Sequence, residues 1–143
     1  MLKFKKSVYE EIRRVSEAAY PHECCGALIG KFSEDGSATA VSSVSLTNMN
    51  TTRANDRYEV NPAELLKVEK DVKREGLDVI GFFHSHPDHP SKPSQFDRDR
   101  GWPEYHYTIV SVESGAVADI KNWKIEAEDK PFGSEPFEVE VDD

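Results

Sequence analysis

The sequence predicts an α/β or α+β sandwich, with helices interspersed among β-strands. Apolar residues recur at helical spacing in residues 7–20 and 62–75, and strand-like apolar runs lie between and after these segments. Turn residues rich in Gly, Pro, Asn and Asp separate the runs. The 143 residues contain neither an internal repeat nor a linker, which predicts one domain covering residues 1–143.

The N-terminal part of the chain is predicted to form a helix followed by a hairpin. A capping-box pattern at residues 7–10 predicts where the helix begins, and Pro21 ends it. The small and apolar residues 24–29 predict a buried strand. A turn at 34–37 leads to a second strand at 38–47 with softer alternation.

The second helix has the clearest boundaries. Asn61 is a favoured N-cap, Pro62 suits the first helical position and Gly76 suits the C-terminal end. Residues 48–56 are predicted to be a polar loop, and residues 57–60 a short strand. The remaining predicted elements are a strand at 78–83, a short helix at 94–100, strands at 105–111 and 117–125, a loop at 130–135 and a last strand from 137.

Composition limits the classes of partner and location. Acidic residues outnumber basic ones by 27 to 18, for a net charge of -9, whereas nucleic-acid binding needs clustered Lys and Arg. No apolar run reaches the ~18 residues of a membrane span, and the N-terminus lacks the features of a signal peptide. We therefore expect a cytoplasmic protein with no nucleic-acid or membrane partner, and with Cys24 and Cys25 as reduced thiols.

Residues 81–100 contain the densest set of chemically active side chains. An apolar run stops at His84, and His86 follows two residues later. Alternate residues of a strand face the same side, so both imidazoles are expected on one face at the end of the strand. Three prolines between 87 and 93 predict that regular structure stops there.

This spacing favours a zinc site with three protein ligands. Ser94 and Asp97 have the spacing of an N-cap and its N3 residue, so Asp97 would join the two histidines at the start of a helix. A catalytic zinc keeps three protein ligands and one open position. Hydrolysis also needs a carboxylate for proton transfer and a donor for the oxyanion. Glu23 is the best candidate for the first, and Ser94 for the second.

Residues 84–97 resemble the His-x-His-x7-Ser-x2-Asp signature of the JAMM metalloproteases, also called the MPN-plus domain. The upstream Glu of that family matches Glu23, which precedes the strand-like run 24–30. The resemblance covers nearly the whole chain, from about residue 5 to about residue 125. It implies a β-sheet flanked by helices similar to that of the cytidine deaminases.

The resemblance also implies a role for each residue of the motif. His84, His86 and Asp97 would bind Zn²⁺, and no other cofactor is implied. Glu23 would act as general base and acid. Ser94 would help to stabilise the tetrahedral intermediate.

The compact length and the run at residues 21–26 are similar to the prokaryotic stand-alone branch of the family. Such enzymes act on small ubiquitin-like sulfur-carrier proteins. The resemblance thus implies a zinc peptidase or isopeptidase in which a zinc-bound water attacks after the carrier's C-terminal Gly-Gly tail. The leaving group, whether cysteine, another amino acid or a lysine-linked protein, stays open, as does the choice between monomer and homodimer. We expect residues 48–58 to present a sheet edge to the tail.

Two other function classes fit less well. A catalytically silent MPN-type scaffold is the main alternative, but scaffold members typically lack part of the ligand set, and all five motif positions are present here. Zinc deamination expects a His-x-Glu near a Pro-Cys-x-x-Cys, which the sequence lacks.

The other candidate side chains have structural interpretations. We expect His22 to be exposed or in a turn, His89 to be a loop residue and His106 to be structural. Trp102 could line a substrate groove or pack, and packing is the favoured expectation. The cysteines at 24–25 are expected to act as small buried hydrophobes.

Overall fold

The computed structural model describes residues 1–50, 58–127 and 130–142. The elements in these residues are, in chain order, β1 (Leu2–Lys5), α1 (Lys6–Ala19), β2 (Cys25–Phe32), β3 (Ala38–Leu46), α2 (Pro62–Arg74), β4 (Asp78–Pro87), α3 (Gln95–Arg100), β5 (His106–Glu113), β6 (Ala116–Ile125), β7 (Phe132–Glu135) and β8 (Phe137–Glu140). None of the described helices has the length and apolar character needed to cross a bilayer.

The strands form one mixed sheet in the order β7-β6-β5-β4-β2-β3-β1-β8. Neighbouring residues of one strand belong to different apolar clusters: Leu28 and Ile80 lie in one, and Ala27 and Val79 in the other. Because adjacent strand residues face opposite sides, the two clusters lie on opposite faces of the sheet. Helix α1 packs into the first cluster and α2 into the second, which confirms the predicted sheet flanked by helices.

The predicted capping box of the first helix is wrong. Helix α1 begins at Lys6 because β1 runs directly into it, and its N-cap, Lys5, makes no side-chain cap hydrogen bond. The amide of Ser7 instead donates to Asp142 Oδ1 at 3.1 Å, which places a carboxylate near the positive end of the helix dipole. By contrast, Asn61 caps α2 as predicted, with its side chain accepting from Ala63 N.

Two short strands were not predicted. Strand β1 pairs in parallel with both β3 and β8, and Leu2 and Phe4 are fully buried. Residues 132–135, predicted to be a loop, form β7 against β6. Both segments have only four residues, and β7 contains a Gly, so neither has enough periodic pattern to indicate a strand.

Strand β4 extends further than predicted, through Pro87. Its ladder with β2 ends at the pair Cys25 and His84, but its ladder with β5 continues to the pair Pro87 and Val112. Beyond the end of β2, one side of β4 is an edge, where a residue without an N–H is tolerated. The predicted short strand at 57–60 is reduced to one bridge, between Val60 and Asn48, with residue 57 outside the described residues.

Candidate metal centre

His84 and His86 lie on the same side of β4, as the strand spacing predicts, and both are buried. Their Nε2 atoms are 3.1 Å apart. Two ring nitrogens at this distance can share at most one proton between them, so at least one presents a lone pair. The pair is therefore arranged as two imidazoles that face a common ligand.

Asp97 completes a three-donor cluster with these histidines. Its Oδ1 lies 3.1 Å from His84 Nε2, and its Oδ2 lies 3.2 Å from His86 Nε2. Zinc bonds of 2.0–2.2 Å in tetrahedral geometry place ligand atoms about 3.3 Å apart. The spacing of the three donors and their chemistry, two imidazoles and a carboxylate, both fit a metal ion.

Glu23 lies beside this cluster, although it precedes His84 by about sixty residues in the sequence. One of its carboxylate oxygens is within 4.8 Å of the ligand nitrogens of both histidines, and the side chain is buried. The β2–β4 register brings it there. Ser85 N donates to Cys24 O at 3.1 Å, and Cys24 N donates to Ser85 Oγ at 2.9 Å, so the chain just after Glu23 is joined to the strand of the histidines.

Ser94 is the N-cap of α3, as predicted. Its Oγ accepts from Asp97 N at 3.1 Å, and its own N–H donates to Asp97 Oδ2 at 2.8 Å. This reciprocal pair fixes the orientation of the Asp97 carboxylate towards the histidines. Because a hydroxyl both donates and accepts, Ser94 Oγ–H keeps its proton available for another acceptor.

The protonation states of His84 and Asp97 suit metal binding. Burial lowers the pKa of His84, which leaves this ring neutral near pH 7. Burial opposes ionisation of Asp97, but the two histidines and the Ser94 amide outweigh it and hold the pKa of this carboxyl well below its usual range. Burial also disfavours charge on His86, yet hydrogen bonds to Asp97 and the Pro90 carbonyl raise its pKa. The Asp97 carboxylate is therefore ionised at neutral pH.

The two histidines are held in different ways. His86 Nδ1 is 2.8 Å from the Pro90 carbonyl, which can only accept, so Nδ1 carries a proton and Nε2 is the ring nitrogen that faces His84 and Asp97. His84 Nδ1 has no hydrogen-bond partner among the described residues. Instead, the His84 ring stacks on Tyr58, with centroids 4.6 Å apart and an interplanar angle of 27°. No motif in the sequence marked Tyr58.

The loop between His86 and Asp97 is fastened to the neighbouring strands. Ser111 Oγ donates to His89 O at 2.6 Å, and Trp123 Nε1 donates to Ser91 O at 2.9 Å. Ser91 Oγ in turn donates to Asp119 Oδ2 at 2.6 Å. Strands β5 and β6 therefore hold a segment that the prolines keep irregular.

An open groove of about 1230 Å³ is lined by Tyr58, whose ring stacks on His84, but by none of the four residues of the candidate centre. It is bounded by Tyr58 and the start of α2 on one side and by the segment after α3 on the other, with Phe82 and Tyr107 also lining it. Trp102 lies on this groove and is 61% exposed, so the expectation that it packs is wrong. The charged residues that line the groove are Arg98, Asp99, Glu104 and Lys130.

The remaining candidates are accounted for as structural or surface residues. His22 and His89 are exposed, whereas His106 is buried, with Nδ1 2.7 Å from Glu135 Oε1. Both cysteines are free thiols, and burial raises the pKa of Cys25 to about 12. The predicted edge for a substrate tail, residues 48–58, falls largely on 51–57, which lie outside the described residues.

Comparison with known proteins adds three findings. Residues 5–126 match the family described as prokaryotic homologs of the JAB domain. The chain is 30% identical over 115 residues to a desampylase from Haloferax volcanii, covering 80% of each protein. It is 45% identical over 56 residues to a probable TtuB-protein conjugate cleaving protease from Thermus thermophilus, covering 39% of this chain and 38% of that one.

A solved structure shows the same fold along almost the entire chain. The solution structure of a protein from Desulfitobacterium hafniense superposes with a TM-score of 0.84 at 27% identity, covering 99% of this chain and 94% of that one. A protein from Salinibacter ruber gives a TM-score of 0.75 at 32% identity. The chain therefore belongs to the prokaryotic JAB-domain family, the JAMM-type family that its motif resembles.

Proposed function

We propose that this protein is a zinc-dependent peptidase or isopeptidase that cleaves after the C-terminal Gly-Gly tail of a small ubiquitin-like sulfur-carrier protein. The observation that carries this proposal is the buried convergence of His84, His86 and Asp97, with Glu23 beside them. The relatives named desampylase and TtuB-protein conjugate cleaving protease support protein conjugates as the substrate class.

The metal would be held by Nε2 of His84, Nε2 of His86 and the carboxylate of Asp97, which face one another at 3.1–3.2 Å. Bound zinc would lower the pKa of a water molecule and polarise the scissile carbonyl. A site of two neutral nitrogens and one ionised oxygen leaves room for a further ligand, as catalytic zinc sites do.

Glu23 would move the proton. Its carboxylate lies within 4.8 Å of the two ligand nitrogens, which is close enough to take a proton from a water in the centre and pass it to the leaving amine. Its burial excludes bulk solvent, so the transferred proton would stay with the reacting groups.

Ser94 would stabilise the developing oxyanion. Its hydroxyl accepts from Asp97 N, which fixes the side chain beside the centre while its own proton stays available to donate. The same residue would then serve as both helix cap and oxyanion donor.

The groove beside the centre supports an extended tail as substrate. Tyr58 both lines the groove and stacks on His84, so a chain lying in the groove would pass one side chain away from the proposed metal ligands. Because glycine has no side chain, a Gly-Gly tail would fit the approach to a buried site. The scaffold alternative is disfavoured because such a protein has no need of four converging titratable groups.

The test uses carrier fusions and intact-mass spectrometry. The zinc-loaded protein is incubated with a ubiquitin-like carrier whose Gly-Gly tail is extended by one amino acid or joined to a lysine of another protein. Hydrolysis should release a carrier ending in Gly-Gly, with product masses that sum to the substrate plus one water. A matched carrier ending in Ala-Ala controls for the tail. Cleavage at another bond, or intact substrate after incubation with the zinc-loaded protein, would refute the proposal.

A further inference from the structure

Asn48 connects the two halves of the metal centre through its side-chain amide. Its Nδ2 donates to the Glu23 carbonyl at 3.2 Å. Its Oδ1 accepts from Asn50 N and from Glu59 N, each at 3.0 Å. One side chain just beyond β3 therefore contacts the segment that carries the proposed proton carrier and the segment that returns towards α2.

The first contact acts where the ladder of β2 ends. Pairing with β4 begins at Cys25, and the Cys24 carbonyl accepts from Ser85 N. Glu23 is the next residue towards the N-terminus, beyond the regular ladder, and its carbonyl accepts from Asn48. This hydrogen bond restrains the backbone of Glu23, from which the carboxylate extends towards the histidines.

The second contact acts on His84 through Tyr58. Asn48 Oδ1 accepts from Glu59 N, and Met49 N donates to Glu59 O at 2.8 Å. These two hydrogen bonds hold the segment around Glu59 beside the end of β3. The adjacent Tyr58 stacks on the His84 ring at 4.6 Å. Because His84 Nδ1 lacks a hydrogen-bond partner among the described residues, this stack is a main constraint on the ring.

We propose that Asn48 is a positioning residue that sets the Glu23 carboxylate and the His84 imidazole relative to each other. This inference rests on the proposed function for its catalytic consequence. The amide is needed because it donates and accepts from one planar group, whereas a carboxylate only accepts and an alanine does neither. Nothing in the His-x-His-x7-Ser-x2-Asp motif refers to this position.

Two substitutions separate the two contacts. Asn48→Asp keeps the shape and the acceptor for Asn50 N and Glu59 N, but replaces the donor to the Glu23 carbonyl with a repelling oxygen. We expect kcat to fall about 10- to 100-fold, with KM and zinc affinity unchanged. Asn48→Ala removes both contacts, and we expect the same loss of kcat together with about 10-fold weaker zinc binding or more.

A control variant disturbs the neighbouring residue and leaves Asn48 intact. The Glu64 carboxylate accepts from Thr47 N at 2.6 Å and from Thr47 Oγ1 at 3.0 Å. Glu64→Gln weakens this attachment of the end of β3, and we expect wild-type kcat and zinc affinity. A loss of kcat equal to that of Asn48→Asp would show a general disturbance and overturn the inference.

Zinc affinity is measured by competition with a chelating dye, without substrate, so it can be interpreted even if the wild-type protein cleaves no carrier. In that case the proposed function fails and the His84 contact is still tested. Wild-type kcat in Asn48→Asp would overturn the Glu23 contact, and wild-type zinc affinity in Asn48→Ala would overturn the Tyr58 contact. If Asn48→Asp does not fold, hydrogen exchange of the wild-type protein decides: slow exchange of the Asn48 side-chain amide supports the proposal, and fast exchange contradicts it.

Discussion

At the scale of single residues, the rings of His84 and His86 are oriented by different contacts, an aromatic stack on Tyr58 and a hydrogen bond, respectively. The Pro90 carbonyl orients the His86 ring, whereas the flat face of Tyr58 orients the His84 ring. Burial raises the pKa of Tyr58 well above its ordinary value, so its hydroxyl stays neutral beside the ionised Asp97. The contact between Tyr58 and His84 is made by the aromatic face of the tyrosine.

Tyr58→Ala should weaken zinc binding about 10-fold or more, because groups that orient metal ligands typically contribute at this level. Tyr58→Phe keeps the stacked ring and should bind zinc as the wild-type protein does. Competition with a chelating dye measures both. Equal losses in the two variants would assign the effect to the hydroxyl and would contradict the role of the stack.

The convergence of His84, His86 and Asp97 could be predicted from the sequence because strand and helix periodicity relate these residues over short distances. His84 and His86 share one face of a strand, and Asp97 begins the next helix. Asn48 and Tyr58 could not be predicted in this way. Their contacts with Glu23 and His84 join residues far apart in the chain, and such contacts leave no periodic pattern.

At the scale of elements, α3 depends on its surroundings. It has six residues, too few to form a stable helix in isolation. The capping box between Ser94 and Asp97 begins it, and the preceding loop is fastened to β5 and β6. Asp97, the third proposed metal ligand, is therefore positioned by a cap and by neighbouring strands.

Ser94→Ala and Ser94→Gly separate the two proposed roles of this residue. Both remove the hydroxyl, so both should lower kcat about 100-fold if Ser94 donates to the oxyanion. Alanine is a poor N-cap and should cost about 1 kcal/mol of stability, whereas glycine should cost only a few tenths. Urea unfolding and carrier cleavage measure the two effects. If kcat instead falls in proportion to the loss of stability, so that Ser94→Gly keeps nearly the wild-type kcat, then Ser94 acts only as the N-cap of α3.

The elements with explicit end signals were predicted best. Helix α2 has an Asn cap, an N-terminal Pro and a Gly after its end, and its predicted bounds agree with the structure within a residue. Helix α1 was located correctly, but its predicted cap was wrong because Asp142, from the other end of the chain, contacts its first turn. Strands β1 and β7 depend on their partners in the sheet, which local sequence does not show.

At the scale of the whole molecule, sheet topology assembles the candidate site. Strand β2 lies between β3 and β4, so Glu23 shortly before β2, Asn48 shortly after β3 and His84 near the end of β4 meet at one end of these strands. Gly26 contributes to this arrangement, because a Cβ there would clash with the ring of Phe83, the neighbour of His84. Proximity of Glu23 to the histidines is thus a consequence of strand order, which the family resemblance implied and periodicity alone did not.

The central claim is that His84, His86 and Asp97 bind a catalytic zinc and that Glu23 moves the proton. The most direct measurement compares the zinc content and the carrier-cleavage rate of the wild-type protein and Glu23→Gln, which keeps the shape of the side chain and removes its basicity. We predict one zinc per chain in both proteins, with turnover at least about 100-fold lower in the variant. A variant that keeps its zinc and cleaves the carrier at the wild-type rate would contradict the account.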